Sequence, residues 1–523
     1  MANQELLREI SFLARRKFVV ISHRQPFSHV RRTVRGESAP QVRVEKPASG
    51  LTLALEPILQ AAHGTWIAAA SGNADADFVD AKGVVAPTRE IHYRLRRLFL
   101  PPRLREEFYT GFSNSSLWPL CHIAYHQPRF EDRWWKAYQA VNRLFCDAVA
   151  DELRGEPAVL FIQDFHLALL PQMARERIPQ ALIAQFWHIP WPNPEVFRIC
   201  PWRRELLAGL LGNDLLGFHL AYHRANFLET LDREMAVQIN RESNWVISEG
   251  HRTAVAAFPI SVDTSRIRHH AATTGRRDAE ALRNRYGRGR RLALSVERMD
   301  YSKGIIERLE AIQRLFLRHP ELRGQVSFVQ ISTPSRTDVR AYRDYADRVD
   351  AIVREINHAW GVWGWTPMTA LHTYVEPERV WSWYFASDLL IVSSLHDGMN
   401  LVAKEFAAAA REDAVLLLSQ FTGAARELRE AVLFNPYATD AFAEAIAGAL
   451  ALPEAERRER MRRLRWRVSH YDITDWAGDI LRSMRQHEFD AQHTLLMEPR
   501  RQAAARLEPE AAARPPRARR QRL

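Results

Sequence analysis

The sequence predicts an α/β fold built from two doubly wound parallel sheets that face a central cleft. Short apolar segments recur along the 523 residues with helix-length segments between them, which is the βαβ rhythm of a parallel sheet. The rhythm pauses after residue 262 and starts again near residue 292, so we expect two such units. Several of the segments end in polar residues, as expected where the strand ends of a sheet open into a binding crevice.

In the first half, Arg24, Asp164 and His188 each follow a predicted strand, so we expect them at the ligand-binding ends of those strands. Residues 108–120 combine aromatic and small polar side chains, which is more typical of a binding loop than of a core helix. Residues 75–107 are too polar and mixed to assign. The pattern predicts strands at residues 18–22, 65–68, 158–162, 182–187 and 214–218, and helices at 51–62 and 134–149. We interpret residues 254–260 as the crossing into the second unit.

In the second half, residues 393–410 form a predicted tight loop and helix after a buried strand. Asp397 and Gly398 supply turn chemistry, and Asn400 is a suitable N-cap. The free amides at such a helix start suit an anion, while Asp397 and Glu405 can accept hydrogen bonds from hydroxyls. An anion that carries a sugar fits this combination. The predicted strands of this half are residues 292–296, 326–331, 371–374, 389–392 and 415–418.

Two more loops at strand ends of the second half carry cations. Arg298 and Lys303 lie on one loop, where they would form a compact clamp for a diphosphate. The alternative for this loop is a surface salt-bridge pair with Glu297 and Asp300. Arg336 follows the next strand and could reach a second anion, a role compatible with a helix-capping segment around it.

Other chemistries leave weak signals in the sequence. A single histidine such as His188 is more often structural than catalytic. His188 is a candidate catalytic residue only because it follows a strand end and lies beside three prolines. No Gly-x-Ser-x-Gly elbow, P-loop or Gly-x-Gly-x-x-Gly motif occurs, which argues against hydrolases, nucleotidases and dehydrogenases. Three short patterns resemble metal sites but lack further ligands, so we expect no metal. They are His122 with His126, His219 with His223, and Asp75 with Asp77.

The composition, 46% apolar and 26% charged, is typical of a folded protein, and no apolar run reaches the length of a membrane helix. Residues 1–17 are amphipathic without a secretory core, so we expect a cytoplasmic protein. The three cysteines share no close spacing and are expected to be buried thiols. More than half of the net charge of +11 comes from residues 500–523, which hold eight arginines and two glutamates. We interpret that tail as a solvated appendage and expect no nucleic-acid partner.

Four motifs carry a resemblance to a known family. They are Phe-Ser-Asn-Ser-Ser-Leu-Trp-Pro at 112–119, His-Ile-Pro-Trp-Pro at 188–192, Val-Glu-Arg-Met-Asp-Tyr-Ser-Lys-Gly at 296–304 and His-Asp-Gly-Met-Asn-Leu-Val-Ala-Lys-Glu at 396–405. Together they closely resemble glycosyltransferase family 20, the UDP-forming trehalose-6-phosphate synthases. The resemblance implies the GT-B fold of two Rossmann-like domains. Its expected parts are an acceptor domain at 1–262, a nucleotide-sugar domain at 263–470, a helix returning to the first domain at 471–487, and a disordered Arg-rich tail at 488–523.

The same resemblance implies a retaining hexosyltransferase that moves glucose from UDP-glucose to glucose 6-phosphate. It implies front-face attack in which the departing phosphate accepts the proton, without a carboxylate nucleophile, a metal or a cofactor. The implied catalytic residues are His188, Arg298, Lys303 and Asp397. The implied donor-binding residues are Gly50, Arg298, Lys303, Asp397, Gly398, Met399, Asn400, Leu401 and Glu405. The implied acceptor-binding residues are Arg24, Tyr109, Trp118, Asp164 and Arg336.

Several departures from the family pattern keep alternatives open. Ser49 stands where the family has glycine, Ala69 where a tryptophan is usual, and His396 where an arginine is usual. Because these lie mainly on the acceptor side, and residues 23–26 are similar to the opening loop of glucosylglycerol-phosphate synthases, glycerol 3-phosphate is an alternative acceptor. A non-catalytic sugar-phosphate sensor and a metal-dependent transferase using the Asp75 pair are further alternatives. The nucleotide base and a homo-oligomer stay open, and a separate phosphatase is expected to act on the product.

Overall fold

The computed structural model describes residues 12–13, 16–32, 40–46, 50–85, 92–336 and 339–487, and strands alternate with helices through most of them. The strands are β1 Lys17–Ser22, β2 Ser28–Arg32, β3 Gln41–Glu45, β4 Thr65–Ala69, β5 Arg94–Leu98, β6 Ala158–Gln163, β7 Leu182–Trp187, β8 Leu215–Phe218, β9 Gln238–Asn240, β10 Trp245–Ser248, β11 His251–Ala257, β12 Arg291–Arg298, β13 Val326–Thr333, β14 Met368–Leu371, β15 Leu389–Val392, β16 Val415–Ser419 and β17 Val432–Phe434.

Helices cover the faces of both sheets. The α-helices are Gly50–Ala61, Pro102–Arg105, Trp118–His122, Asp132–Leu153, Leu170–Arg177, Pro194–Phe197, Arg203–Leu210, Ala221–Glu234, Thr264–His270, Arg276–Leu282, Ile305–Arg318, Arg340–Trp360, Pro377–Ala386, Leu401–Ala409, Thr439–Ala451, Glu454–His470 and a final helix at residues 473–487. Shorter 3-10 or π segments are Asp75–Phe78, Glu106–Leu117, Phe165–Leu167, Ala271–Gly275, Arg283–Gly287, Tyr301–Lys303, Pro320–Leu322 and Gly423–Arg426.

Nine of the described strands form the first sheet, in the order β5-β4-β1-β6-β7-β8-β11-β10-β9. The strands from β5 to β11 pair in parallel, and β10 pairs antiparallel with both β11 and β9. β1 is buried along almost its whole length, which explains its continuous apolar sequence. The chain winds outward in both directions from β1 and β6, so a crevice opens beyond their carboxyl ends.

The second sheet repeats this arrangement. Six described strands, all parallel, take the order β14-β13-β12-β15-β16-β17, with the change of winding direction between β12 and β15. Arg298 ends β12, and Asp397 lies in the loop that follows β15. The two parallel sheets and their facing crevices are those of the GT-B fold.

The last described helix returns to the first sheet. Trp476 is fully buried, and its ring lies 5.1 Å from the ring of Phe186 on β7 and 6.4 Å from that of Phe161 on β6. The helix at residues 473–487 therefore packs across the sheet that begins the chain. The domain boundaries after residues 262 and 470 remain predictions, and the predicted Arg-rich tail at 488–523 lies outside the described residues.

Three sequence-based predictions of secondary structure were wrong or incomplete. Residues 108–120 are helical and not a loop, because Phe108 and Phe112 are core side chains, and polar side chains close the wide π-helical turns. Asn114 Nδ2, for example, donates to the carbonyl oxygen of residue 109 at 2.7 Å. The strand predicted at 371–374 lies at 368–371 instead. β5 lies within residues 75–107, which the sequence analysis could not assign. The buried Arg97 makes the sequence of this core strand look polar.

Two further findings concern the cysteines and the length of the helices. The three cysteines, Cys121, Cys146 and Cys200, are buried free thiols, as the sequence predicted. Among the described residues, no helix is both long enough and apolar enough to cross a membrane.

Candidate active site

A cavity of about 440 Å³ lies between the two sheets, at the carboxyl ends of their parallel strands. Its first wall comes from the loops after β1, β6, β7 and β8, and its second wall comes from β12, β13 and the loop and helix after β15. The structure brings twelve of the predicted site residues to it: Arg24, Trp118, Asp164, His188, Arg298, Lys303, Arg336, Asp397, Met399, Asn400, Leu401 and Glu405.

Three predicted residues do not line this cavity. Gly50 begins the helix Gly50–Ala61, and the neighbouring Ser49 lies outside the described residues. Tyr109 lies behind the wall, where its hydroxyl accepts a hydrogen bond from Arg24 Nη2 at 3.4 Å. Gly398 packs against the backbone of His188 on the opposite wall. Any effect of Tyr109 or Gly398 on a bound ligand is therefore transmitted by residues that do face the cavity.

Lys303 is fixed by a short turn at the end of β12. Asp300 caps this turn by accepting hydrogen bonds from the amide and hydroxyl of Ser302 at 3.1 and 2.9 Å. The Lys303 ammonium then lies 2.6 Å from Asp397 Oδ2. Burial alone would raise the pKa of Asp397, but Lys303 and the hydrogen bond from Asn400 hold it below its usual range. Asp397 is therefore ionised, and its contact with Lys303 holds both side chains at the cavity wall.

Two arginines from different elements lie over the ring of Trp118. The guanidinium of Arg336 lies 4.0 Å from the Trp118 ring centre, and that of Arg298 lies 5.2 Å from it. Burial lowers the pKa of Arg298, and the neighbouring charges of Arg336 and Arg24 lower it further. Arg336 is partly compensated by Asp300, which accepts from its Nη1 at 2.8 Å. The remaining excess of positive charge makes this end of the cavity a receptor for an anion.

Tyr109 responds to the same cluster of cations. Burial alone would raise the pKa of its hydroxyl, but the charges of Arg24 and Arg336 lower it to about 7. Tyr109 therefore lies close to these cations and offers Arg24 a hydrogen-bond acceptor at the cavity edge.

The helix Leu401–Ala409 points its first turn at the cavity. Asn400 caps it as predicted, since its Oδ1 accepts a hydrogen bond from the Ala403 amide at 3.0 Å. Asn400 itself has a φ of 91°, a backbone conformation that costs free energy in a residue other than glycine. The amides of this turn that Asn400 does not engage, together with the helix dipole, favour a negatively charged or hydroxyl-rich ligand.

Asp164 and His188 lie side by side at the ends of β6 and β7. Asp164 Oδ1 accepts a hydrogen bond from the His188 amide at 3.3 Å, and Asp164 also has a positive φ of 71°. Burial raises the pKa of Asp164 to about 6, and burial lowers the pKa of His188 to about 3. The imidazole is therefore neutral near pH 7, with its Nε2 donating to Gln163 Oε1 at 3.0 Å.

Glu405 occupies the opposite, more apolar end of the cavity. Its Oε2 accepts a hydrogen bond from the Tyr384 hydroxyl at 3.2 Å. Burial raises the pKa of Glu405 to about 7, although the Tyr384 hydrogen bond opposes this shift. A buried carboxylate of this kind is suited to accept hydrogen bonds from ligand hydroxyls.

Direct contacts hold the two walls together. His396 Nδ1 donates to the carbonyl oxygen of His122 at 2.8 Å, and this links the second half of the chain to the first. Buried Lys404 donates to the carbonyl oxygen of Ile260 at 2.7 Å and pairs with Glu427 at 3.0 Å. The lysine of the Lys-Glu motif is thus a structural tie, and Glu405 alone of the two faces the cavity.

Sequence reasoning gave no substrate-binding role to several cavity residues that carry polar groups, among them His23, His122, Gln163, His219 and Tyr384. Gln163 is the last residue of β6, and His23 and His219 follow β1 and β8 directly. The rule that selected Asp164 and His188, a polar residue at a strand end, would have selected these three as well. Tyr384 lies in the middle of a helix and had no such signal.

The patterns that resembled metal sites have other roles in the structure. Asp75 is completely buried, and its oxygens accept hydrogen bonds from Gln25 Nε2 and three backbone amides. Asp77 instead pairs with Arg31 at the surface. Imidazole rings of the two histidine pairs pack on other rings, as His126 does on Tyr301 at 3.8 Å. The described residues contain no cluster of three or more potential metal ligands.

Comparisons with known proteins agree with this geometry. The sequence model of Glycosyltransferase family 20 matches residues 16–486. A trehalose-6-phosphate synthase from Mycolicibacterium vanbaalenii is 36% identical over 480 residues, which cover 90% of this chain and 96% of that protein. A UDP-forming alpha,alpha-trehalose-phosphate synthase from Burkholderia xenovorans, in complex with glucose-6-phosphate, has a TM-score of 0.79 and 29% identity, covering 90% of this chain and 100% of its own. An E. coli structure bound with UDP-2-fluoro glucose has a TM-score of 0.79 and 31% identity, covering 90% and 99%.

Proposed function

The chain belongs to glycosyltransferase family 20, and from that premise we propose that it transfers glucose from UDP-glucose to glucose 6-phosphate, giving trehalose 6-phosphate and UDP. One observation carries the proposal: a single cavity between the two sheets joins four cations to a set of hydroxyl acceptors. The cations are Arg24, Arg298, Lys303 and Arg336. A substrate pair with a diphosphate, a phosphomonoester and two sugars needs this combination.

The donor is assigned to the second wall. Arg298 and Lys303 would hold its diphosphate, since both lie on the loop at the end of β12. The first turn of the helix Leu401–Ala409 would meet the glucose, with Asp397 accepting from its hydroxyls. Glu405, in the more apolar end of the cavity, would accept from the ribose. Gly50 would act only if the donor extends beyond the described cavity to the helix that this residue begins.

The acceptor is assigned to the first wall. Arg24 from this wall and Arg336, which reaches Trp118 from the second wall, both act on Tyr109 and would bind the acceptor phosphate, because guanidinium groups match phosphate oxygens in geometry and charge. Asp164 would accept from a hydroxyl of the acceptor sugar, and Trp118 would pack against its ring. Tyr109 supports this end by holding Arg24.

The reaction replaces the C–O bond from the anomeric carbon to the phosphate by one to the acceptor, and it moves one proton. A hydroxyl of glucose 6-phosphate attacks the anomeric carbon of the donor on the face from which the diphosphate leaves, and configuration is retained. The departing β-phosphate accepts the proton of that hydroxyl, so no carboxylate nucleophile is needed. Arg298 and Lys303 stabilise the negative charge that grows on the diphosphate. Neutral His188 would support the donor sugar near the reacting carbon, since its low pKa keeps it from competing as a cation.

The remaining expectations belong to the same proposal. We expect no metal or other cofactor, since two cationic side chains are in position to neutralise the diphosphate. The substrates are the expected partners, with no membrane or nucleic acid, and a separate phosphatase acts on the product. A cytoplasmic location fits metabolites of this kind.

A coupled assay of UDP release tests the proposal. UDP-glucose and glucose 6-phosphate together are expected to release UDP much faster than UDP-glucose alone. Replacing the acceptor by glycerol 3-phosphate tests the alternative acceptor, and replacing the donor by ADP-glucose or GDP-glucose tests the base. If no donor and acceptor pair releases a nucleotide, the proposed enzymatic activity is wrong, and the non-catalytic sugar-phosphate sensor is favoured.

A further inference from the structure

A second cavity, of about 710 Å³, lies at the far end of the helix that begins at the active site. The helix Leu401–Ala409 starts beside Asn400 in the active-site cavity and ends at Ala409 in the second cavity. The two cavities share no lining residue. The other walls of the second cavity come from residues 265–276 and from the helix Glu454–His470.

Positive charge predominates around this second cavity. Five arginines line it, against two carboxylates and one exposed histidine, His269. The arginines are Arg268, Arg276, Arg411, Arg458 and Arg465, and the carboxylates are Glu412 and Asp413. A wall with this balance attracts an anion even after its own ion pairs are satisfied.

The two carboxylates are already paired with arginines on the same wall. Asp413 Oδ1 lies 3.2 Å from Arg411 Nε, and Glu412 Oε2 lies 3.5 Å from Arg458 Nη1. By contrast, the guanidinium groups of Arg268 and Arg276 make no hydrogen bond or ion pair with any residue that the structure describes. Two guanidinium groups on the wall are thus left without a counter-ion.

Arg465 adds a third cation. Its Nη2 donates to the carbonyl oxygen of Ala410 at 2.6 Å, which offsets the partial negative charge at the end of the helix Leu401–Ala409. Its Nε is buried and unpartnered among the described residues. Burial lowers the pKa of Arg465; Glu412 opposes this shift and the nearby charge of Arg268 adds to it. Arg268 and Arg465 are therefore close enough to repel each other, and a shared anion would relieve that repulsion.

Apolar residues also line the cavity, namely Ala271, Ala272, Phe385, Ala408 and Ala409. An apolar surface next to unpaired guanidinium groups suits a compact organic molecule that carries a phosphate. Guanidinium forks bind the oxygens of such a group in pairs.

We propose that this second cavity is a binding site for a phosphomonoester, held by Arg268, Arg276 and Arg465 with its organic body on the alanine and phenylalanine surface. The site is distinct from the active site, and its occupancy can be tested without measuring turnover. The proposal consequently stands or falls independently of the proposed reaction.

Chemical protection of individual arginines tests it at residue level. The full-length protein is treated with phenylglyoxal, with and without glucose 6-phosphate, AMP or inorganic phosphate, and modified peptides are quantified by mass spectrometry. At ten times the dissociation constant, bound ligand is expected to slow modification of Arg268 and Arg276 by about tenfold, because the free fraction falls by that factor. The neighbouring Arg277, which does not line the cavity, serves as the unprotected control.

Paired variants separate this site from the active site. The Arg268→Glu/Arg276→Glu protein is expected to lose one phosphomonoester site in equilibrium dialysis, whereas Arg277→Glu/Arg462→Glu, with the same change of total charge, keeps it. Equal modification of Arg268 and Arg276 with and without every probe, or unchanged stoichiometry in the first variant, would overturn the proposal. The concentrations of AMP, glucose 6-phosphate and inorganic phosphate that halve the modification of Arg268 and Arg276 are then compared. A lower value for the organic phosphates supports binding of their organic part to the apolar surface. Equal values for all three would exclude a role of that surface.

Discussion

Gly398 approaches His188 so closely that a methyl group at residue 398 would lie 2.7 Å from the His188 carbonyl oxygen. The two residues belong to opposite walls of the active-site cavity. Their contact sets the distance between the glucose-binding loop of the second sheet and the strand ends of the first. A glycine is therefore required here by close approach, and we expect the width of the cavity to depend on it.

Gly398→Ala should separate the two walls. A displacement of about 1 Å in the reacting groups costs about 100-fold in rate, so kcat/KM for glucosyl transfer is expected to fall by about that factor. Gly448→Ala is the matched control. Gly448 lies on the helix Thr439–Ala451, and a Cβ added there meets no atom within 4 Å. Equal activity of the two variants would show that the contact does not set the geometry.

Removal of either cation of the diphosphate clamp should slow glucosyl transfer. Arg298→Ala or Lys303→Ala should cost about 2–4 kcal/mol of transition-state stabilisation, as removal of a group that stabilises developing negative charge does. The measurement is kcat/KM for UDP-glucose at saturating acceptor. Arg462→Ala is the control for loss of a positive charge, since Arg462 is exposed and, among the residues that the structure describes, pairs only with Glu459. A near-normal rate in both clamp variants would contradict the assignment.

Donor binding is expected to depend on the ionisation of Glu405. Burial raises the pKa of this carboxyl to about 7, so its charged form, the better acceptor for ribose hydroxyls, gains population as pH rises through that value. The KM for UDP-glucose should therefore fall over this range, and Glu405→Gln should abolish the trend. Tyr384→Phe removes a hydrogen bond that favours the charged form, so the transition should move to higher pH. An unchanged pH profile in Glu405→Gln would exclude this role.

The buried pair of Arg97 and Asp75 is expected to support the loop that carries Arg24. The two side chains lie 3.2 Å apart at 0% exposure, and Arg97 Nε donates to Gln25 Oε1 at 2.7 Å. Arg97→Met leaves the Asp75 charge buried without its partner, which should lower the free energy of unfolding by about 3–5 kcal/mol. Equilibrium unfolding in urea measures this loss.

The exposed pair of Arg31 and Asp77 provides a matched comparison for that substitution. Arg31→Met removes an ion pair whose side chains are 46% and 52% exposed, so its effect should be within about 1 kcal/mol. Similar losses in the two variants would mean that the buried pair adds nothing beyond an ordinary surface contact.

Catalysis is expected to survive removal of divalent cations. The carboxylate oxygens of Asp75 accept hydrogen bonds from protein donors, and Asp77 pairs with Arg31. The two residues are therefore not arranged as a metal-binding Asp-x-Asp motif. Excess EDTA should leave the initial rate of UDP release unchanged. A loss that Mg²⁺ or Mn²⁺ restores would favour the metal-dependent alternative.

Much of the fold could be predicted from the sequence because parallel strands are buried on both faces and leave continuous apolar runs. β1, β6, β7, β12 and β15 were found in this way, and the polar residue after each marked the cavity. The cap of Asn400 could be predicted for a similar reason, since capping is decided by neighbours within one turn. The sequence by itself therefore determined the two sheets, the positions of their binding ends and the family.

Only the tertiary structure decided how residues distant in the chain meet. The 2.6 Å ion pair of Lys303 with Asp397, the stacking of Arg336 on Trp118, and the contact of Gly398 with His188 each join separate elements. The core helix at residues 106–122 and the buried Arg97 in β5 were missed because polar residues enter a core only when specific distant partners satisfy them. Local pattern carries no information about those partners, which is why side-chain charge states and the shape of the cavity followed from the packing of the two sheets.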